Sequence, residues 1–165
     1  MEIENRVRIL EDDRAIRDLK ARYLRAADGK DIKDMRGCFL KDAVVEFEGF
    51  PRFEAREPFI ETFQQMACVP GIFDIHHGAN GVVQFENQNR ATGQWSLLFH
   101  NINLEARTLT QMGVEYDDIF EKDDAGEWRI AHTRSRRTSA LVHQIDKEGQ
   151  PTVTVMGQME AAFGK

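Results

Sequence analysis

Apolar residues recur at helical spacing near the start of the chain. Over residues 4 to 28, Ile9, Ile16, Leu19, Tyr23, Leu24 and Ala27 return at spacings near three, four and seven, and charged residues take the other faces. That periodicity predicts one long amphipathic helix. Gly29 is its expected stop. Asp28 then falls in the last turn, where the helix dipole disfavours a carboxylate. A residue held against local preference is a candidate for function, and the plain alternative is a solvated end residue or a cap for the next helix. Asp31 is the better cap, for a second helix over residues 31 to 39. Tyr23 and Asp28 diverge by about 140° around the helix. Both are expected to border one cavity only if the helix end unwinds or the chain turns around it. Residues 42 to 49 read as a first strand ending near Gly49 and Pro51, and Pro58 opens a third helix to about Met66. Residues 68 to 74, with Pro70 and Gly71, read as a loop.

From there the period becomes two. Strands are expected at 76 to 87, 92 to 105, 109 to 122 and 127 to 143, with a polar turn at 87 to 90 and a hairpin turn at 123 to 126. Residues 151 to 156 are a candidate extra strand, and 158 to 163 a candidate short helix. Helices first and a meander of long strands afterwards imply an α+β fold, with the helices on one side of a curved antiparallel sheet. Residues 1 to 165 read as one domain, with a core over about 5 to 143 and a C-terminal extension over 144 to 165.

Composition narrows the function. The 165 residues carry a formal net charge of −6, which gives no basic footprint for nucleic acid. No apolar run is long enough to cross a bilayer, and the N-terminus lacks the regions of a signal peptide. Cys38 and Cys68 are isolated and are expected to be reduced thiols of a cytoplasmic protein. Eleven Phe and six Met are enough to line an apolar pocket, although most are expected in the core.

The most informative stretch is Ile75-His-His-Gly-Ala-Asn-Gly-Val-Val-Gln-Phe85. Alternation on a strand sends His76 and His77 to opposite faces, which argues against one metal held by both. One imidazole is then free to work while the other is structural or solvated. Plain alternation puts Gly78, Asn80, Val82 and Gln84 on the His76 face. The competing reading is a satisfied buried histidine. Elsewhere, Tyr116 and Asp118 share one strand face, and His132 and Arg134 share another. Arg134 with Arg136 could bind a substrate carboxylate or form a solvated face. A two-His-one-carboxylate iron site from His76, His100, His132 and Asp28 lacks supporting ligand spacing, so no metal is expected. Glycine-rich phosphate loops, G-x-S-x-G elbows and Cys–His signatures are missing from the sequence.

Five pieces in this order resemble the SnoaL-like branch of the NTF2-like superfamily over about residues 5 to 139. They are Ala15-Ile-Arg-Asp-Leu-Lys-Ala-Arg-Tyr23 with Asp28, Phe39-Leu-Lys-Asp-Ala-Val, His76-x-x-x-Asn80, Gly113-Val-Glu-Tyr-Asp-Asp, and Gly126-Glu-Trp-Arg-Ile-Ala-His. The resemblance implies a cone-shaped (cystatin-like) α+β barrel around an apolar pocket. Members include dehydratases, polyketide cyclases, a dehydrochlorinase and proteins without catalysis. In the dehydratase and dehydrochlorinase branches an Asp near the end of the first helix orients a His that begins a strand, and Asp28 and His76 occupy the matching positions. Tyr23 matches a tyrosine near the substrate of bile-acid dehydratase.

What the resemblance implies is a cofactor-independent lyase or isomerase, dehydratase-like, acting on a small cyclic hydrophobic substrate. His76 is the expected general base, Asp28 its orienter, and Tyr23 a hydrogen-bond donor to a developing enolate. Asn80, Tyr116, His132 and Arg134 are expected to contact substrate. The alternatives are a non-catalytic module binding a small molecule in the same pocket, and a small subunit of a ring-hydroxylating dioxygenase-type assembly. Open sheets of this kind commonly dimerise, so a homodimer or higher homo-oligomer is expected.

Overall fold

The computed structural model describes residues 2–157. Helix α1 (Ile3–Gly29) and the short α2 (Ile32–Gly37) precede strand β1 (Phe39–Phe47), and α3 (Arg56–Ala67) follows it. The rest is strand: β2 (Ile72–Phe85), β3 (Arg90–Asn103), β4 (Thr108–Lys122), β5 (Trp128–Ile145) and β6 (Pro151–Gly157). The expected α+β architecture is present. Its sheet runs β1-β5-β4-β3-β2, and β6 pairs with the far half of β5. One pair departs from the expected antiparallel sheet: β1 lies parallel to β5. The two strands are joined through three antiparallel strands and a helix, which allows the parallel pairing a hairpin forbids.

The stripe of α1 that the apolar pattern marked is buried, at Ile16, Leu19, Tyr23, Leu24, Ala26 and Ala27. It packs on the sheet with Phe39, Val45, Phe120 and Ile130. Two charged residues, Asp12 and Lys20, are also buried on that stripe. At Gly78 a Cβ would come within 2.7 Å of Leu24 Cδ1, so this glycine lets α1 approach β2 closely.

The ends of the elements differ from expectation in ways that affect the site. Gly29 is the last helical residue, and Lys30 takes the left-handed conformation (φ 56°) that terminates α1. Asp31 caps α2 as expected, accepting a hydrogen bond from the Asp34 amide. Pro58 sits in the first turn of α3, two residues after Arg56 opens it. Strand β2 begins at Ile72, so His76 lies inside the strand. The candidate strand at 151 to 156 forms as β6. The candidate helix at 158 to 163 lies outside the described residues.

Three bulges decide which side chains face inward. Register shifts between Ala79 and Val82 on β2, where Asn80 has a positive φ of 53°. Strand β5 shifts twice, once between Ile130 and His132 and again between Arg137 and Ser139. An extra residue reverses the parity of everything beyond it until the next bulge.

Candidate active site

A cavity of about 410 Å³ lies between α1, α3 and the concave face of the sheet. Its wall is mostly apolar, with Phe47, Phe53, Phe59, Phe63, Leu97, Phe99, Met112 and Val114 among the lining residues. Pockets of this size and greasiness commonly take small molecules. The register orders the lining in rows across the sheet. His76, Phe99 and Met112 form one row, and Gly78, Leu97 and Val114 the next. On the other side lies the row Asp74, Asn101 and Thr110.

His76 faces the cavity, with its ring 4.8 Å from that of Phe99. Its Nδ1 is 2.6 Å from Asp28 Oδ1, and its backbone N–H donates to Asp28 Oδ2 at 3.2 Å. One carboxylate thus holds both the ring and the main chain of the residue. With Nδ1–H donating to Asp28, Nε2 is left as the basic nitrogen. Tyr23 and Ala27, one helical turn apart, both line the cavity. Asp28 is one position further round and holds the imidazole from the side. The helix therefore stays wound to Gly29, and Asp28 does not need to border the cavity.

Tyr23 and Tyr116 line the cavity together. Burial pushes both phenols well above their ordinary range, and the nearby Asp118 charge adds to the effect. Behind them, Lys20 Nζ is 2.7 Å from Asp118 Oδ2, with both side chains sealed from solvent. Thr133 donates to the other carboxylate oxygen at 2.6 Å. Burial lowers the Lys20 pKa, against the pull of Asp118.

Of the remaining residues expected to contact substrate, only Tyr116 borders the cavity. Asn80 sits on the β2 bulge, is exposed, and donates to Ser96 Oγ at 3.3 Å. The β5 bulge at Ala131 turns His132 and Arg134 to the outer side and brings Thr133, Ser135 and Arg137 inward. His132 Nε2 lies 2.6 Å from Glu46 Oε1. Arg134 and Arg136 border a separate shallow cleft with Glu46 and Arg52. Arg137, which alternation alone would not select, lines the main cavity and donates to the Glu48 carbonyl at 2.6 Å. Among the described residues no group of three His, Cys, Asp or Glu is arranged to hold a metal ion. No helix among them is long and apolar enough to cross a membrane.

Residues 8–134 match the family model of the SnoaL-like domain. Solved structures share the fold. A Novosphingobium aromaticivorans protein provisionally assigned as a scytalone dehydratase superposes with a TM-score of 0.74 at 20% identity, covering 81% of this chain and 88% of that one. The hexachlorocyclohexane dehydrochlorinase LinA-type3 from Novosphingobium barchaimii gives a TM-score of 0.72 at 18% identity, over 92% of this chain and 97% of its own. ActVI-ORFA from Streptomyces coelicolor gives 0.64 at 11% identity, over 74% and 94%. The chain belongs to the SnoaL-like domain family.

Proposed function

We propose that the protein is a cofactor-independent, dehydratase-like lyase or isomerase for a small cyclic hydrophobic substrate. The observation that carries this is the 2.6 Å contact between His76 and Asp28 beside an aromatic cavity. In the dehydratase form, His76 Nε2 takes a proton from the carbon beside a carbonyl. Electron density moves to the carbonyl oxygen, where the Tyr23 hydroxyl donates a hydrogen bond. The enolate then collapses, the bond to a hydroxyl on the next carbon breaks, and the imidazolium returns its proton to the departing oxygen. Water and a conjugated enone leave. Asp28 fixes the tautomer and balances the imidazolium charge throughout. Tyr116 is the second phenol on the cavity wall.

The dehydratase and dehydrochlorinase among the structural neighbours support this reading as analogues, since both reactions remove a proton and a leaving group from adjacent carbons. The test is elimination from 3-hydroxycyclohexanone, followed by enone absorbance and mass spectrometry. The wild type is expected to form cyclohexenone faster than buffer, and His76→Ala to fall to the buffer rate while remaining folded. Equal rates in both proteins would sink the assignment.

The outer face of β2 and β3 carries Phe73, Ile75, Leu98, Ile102 and the adjoining Leu104, each at least 37% exposed. Paired register joins the first four into one patch on the edge of the sheet. Such a patch supports a homo-oligomer in which a second copy covers it. The free thiols Cys38 and Cys68 fit a reducing, cytoplasmic setting.

A further inference from the structure

The row next to His76 is polar across three adjacent strands. Asp74, Asn101 and Thr110 are paired in register, and all three line a cavity whose remaining wall is mostly aromatic and aliphatic, with Ser135 and Arg137 as polar lining contributed by β5. Two residues along a strand separate this row from His76, about 6.6 Å. Lys30, brought back over the helix end by its left-handed backbone, forms an ion pair with Asp74 Oδ2. Asn101 Nδ2 donates to Asp74 Oδ1 at 2.7 Å. Asp74 is thereby held in place with only 7% of its side chain exposed.

An ion pair between the α1 terminus and β2 would need Lys30 and Asp74 alone. Asn101 and Thr110 extend the polar surface further into the cavity, where a polar group facing an apolar ligand loses its hydration without replacement. The arrangement suits a ligand group that can both donate and accept. The Asp74 carboxylate and the Asn101 carbonyl oxygen accept, while the second Asn101 N–H and the Thr110 hydroxyl donate. A hydroxyl fits both roles. A ketone oxygen can only accept, and a ligand carboxylate would meet the Asp74 charge.

We propose that Asp74, Asn101 and Thr110 form a subsite that binds a non-reacting hydroxyl of the substrate, one strand rung from His76. The substrate class becomes a hydroxylated cyclic ketone whose second oxygen lies away from the reacting carbon. The inference rests on the reading of the cavity as a cyclic-substrate site, and its test is binding alone.

Titration calorimetry with 4-phenylcyclohexanone and 4-(4-hydroxyphenyl)cyclohexanone provides that test. The wild type is expected to prefer the hydroxylated probe about tenfold, equal to about 1.4 kcal/mol. In Asp74→Ala and, separately, Asn101→Leu, the preference is expected to fall to within about twofold, by loss of a hydrogen-bond partner, whatever each change does to the affinity for the unsubstituted probe. The second variant leaves the Asp74–Lys30 pair intact, so the idea stays testable if the first fails to fold. Equal affinities in the wild type, or a preference that survives in a folded variant, overturns the subsite and leaves the Asp28–His76 chemistry standing. Binding of neither probe overturns the subsite together with the cyclic-ligand reading. Loss of elimination activity with the preference intact would instead remove only the chemistry.

Discussion

Lys20 Nζ sits 3.7 Å from the centre of the Tyr116 ring while pairing with Asp118 at 2.7 Å. The ammonium thus anchors a charge pair from α1 to β4 and supports the ring face of a cavity phenol. A buried pair of this kind is weak evidence of net stabilisation, but removing one member strands the other without solvent. Lys20→Met is expected to destabilise the protein by about 3–5 kcal/mol. Adding Asp118→Asn removes the stranded charge, keeps an oxygen for the Thr133 hydroxyl, and is expected to restore much of the loss. Urea unfolding of the two single variants and the double variant measures both.

Tyr23 and Tyr116 are the chain's two tyrosines, so tyrosinate absorbance reports this cavity alone. Both phenols are pushed above the ordinary value in the folded state by burial and the Asp118 charge. In the unfolded chain they ionise near pH 10. Below that pH their contribution to stability is fully present. Above it the unfolded state releases protons that the folded state keeps, and stability falls by up to about 1.4 kcal/mol per pH unit for each phenol. The absorbance is therefore expected to rise together with loss of ellipticity on alkaline titration. Phenol ionisation at ordinary pH in a protein with native ellipticity would contradict the buried pair.

The helical stripe and the alternating strands carried much of this architecture because burial imposes those periods directly. The same rule misplaced His132 and Arg134. Ala131 adds one residue to β5, and no turn residue in Ile130-Ala-His-Thr advertises the shift. On β2 a signal was available: Asn80-Gly81 is a pair suited to positive φ, and a Cβ on Gly81 would collide with the Trp95 ring. Asp12 and Lys20 were also legible in principle. Both fall at helical spacing on the apolar stripe with Ile16, Leu19 and Tyr23, where a charge is retained only with a partner. The partners come from distant strands, so the pairs themselves could not be read along the chain. The parallel placement of β1 against β5 was hidden for the same reason.

His76 and Asp28 differ in what their removal should do. His76→Ala deletes both the base and the proton donor, and elimination is expected to slow by about 10²–10⁴-fold. Asp28→Asn keeps a similar shape and still accepts one hydrogen bond, but it no longer balances the imidazolium charge. A smaller fall is expected, confined to kcat if ligand affinity depends on the cavity wall alone. Steady-state kinetics with the hydroxyketone separates the two parameters; an Asp28→Asn enzyme with unaltered kcat would make the carboxylate a structural clamp.

The apolar patch on β2 and β3 predicts association. The 19.0 kDa chain is expected to elute with at least twice that mass by light scattering. Leu98→Glu with Ile102→Glu places charge in the patch, on the face opposite the cavity, and is expected to give monomers with ligand binding retained. A wild-type monomer at micromolar concentration would leave the patch unpartnered by a second copy.

Asp12 ties the first helix to the far end of the sheet. It accepts from Trp128 Nε1 at 2.7 Å and pairs with Lys122 at 2.9 Å and Arg8 at 3.2 Å. Burial alone would push its carboxyl up, but the bonds from Lys122 and Trp128 prevail and hold it below the ordinary value. In the unfolded chain the group titrates near pH 3.9. Its contribution is therefore present above that pH and is lost as pH falls through the lower folded-state value. Asp12→Ala leaves the buried indole N–H without an acceptor, at a cost of about 1–3 kcal/mol near neutrality. The stability gap between wild type and variant is expected to stay constant from pH 7 down to about pH 5 and then to narrow in stronger acid. Denaturant titrations followed by tryptophan fluorescence across that range measure it, and a gap that widens in acid would mean that the carboxylate does not hold this junction.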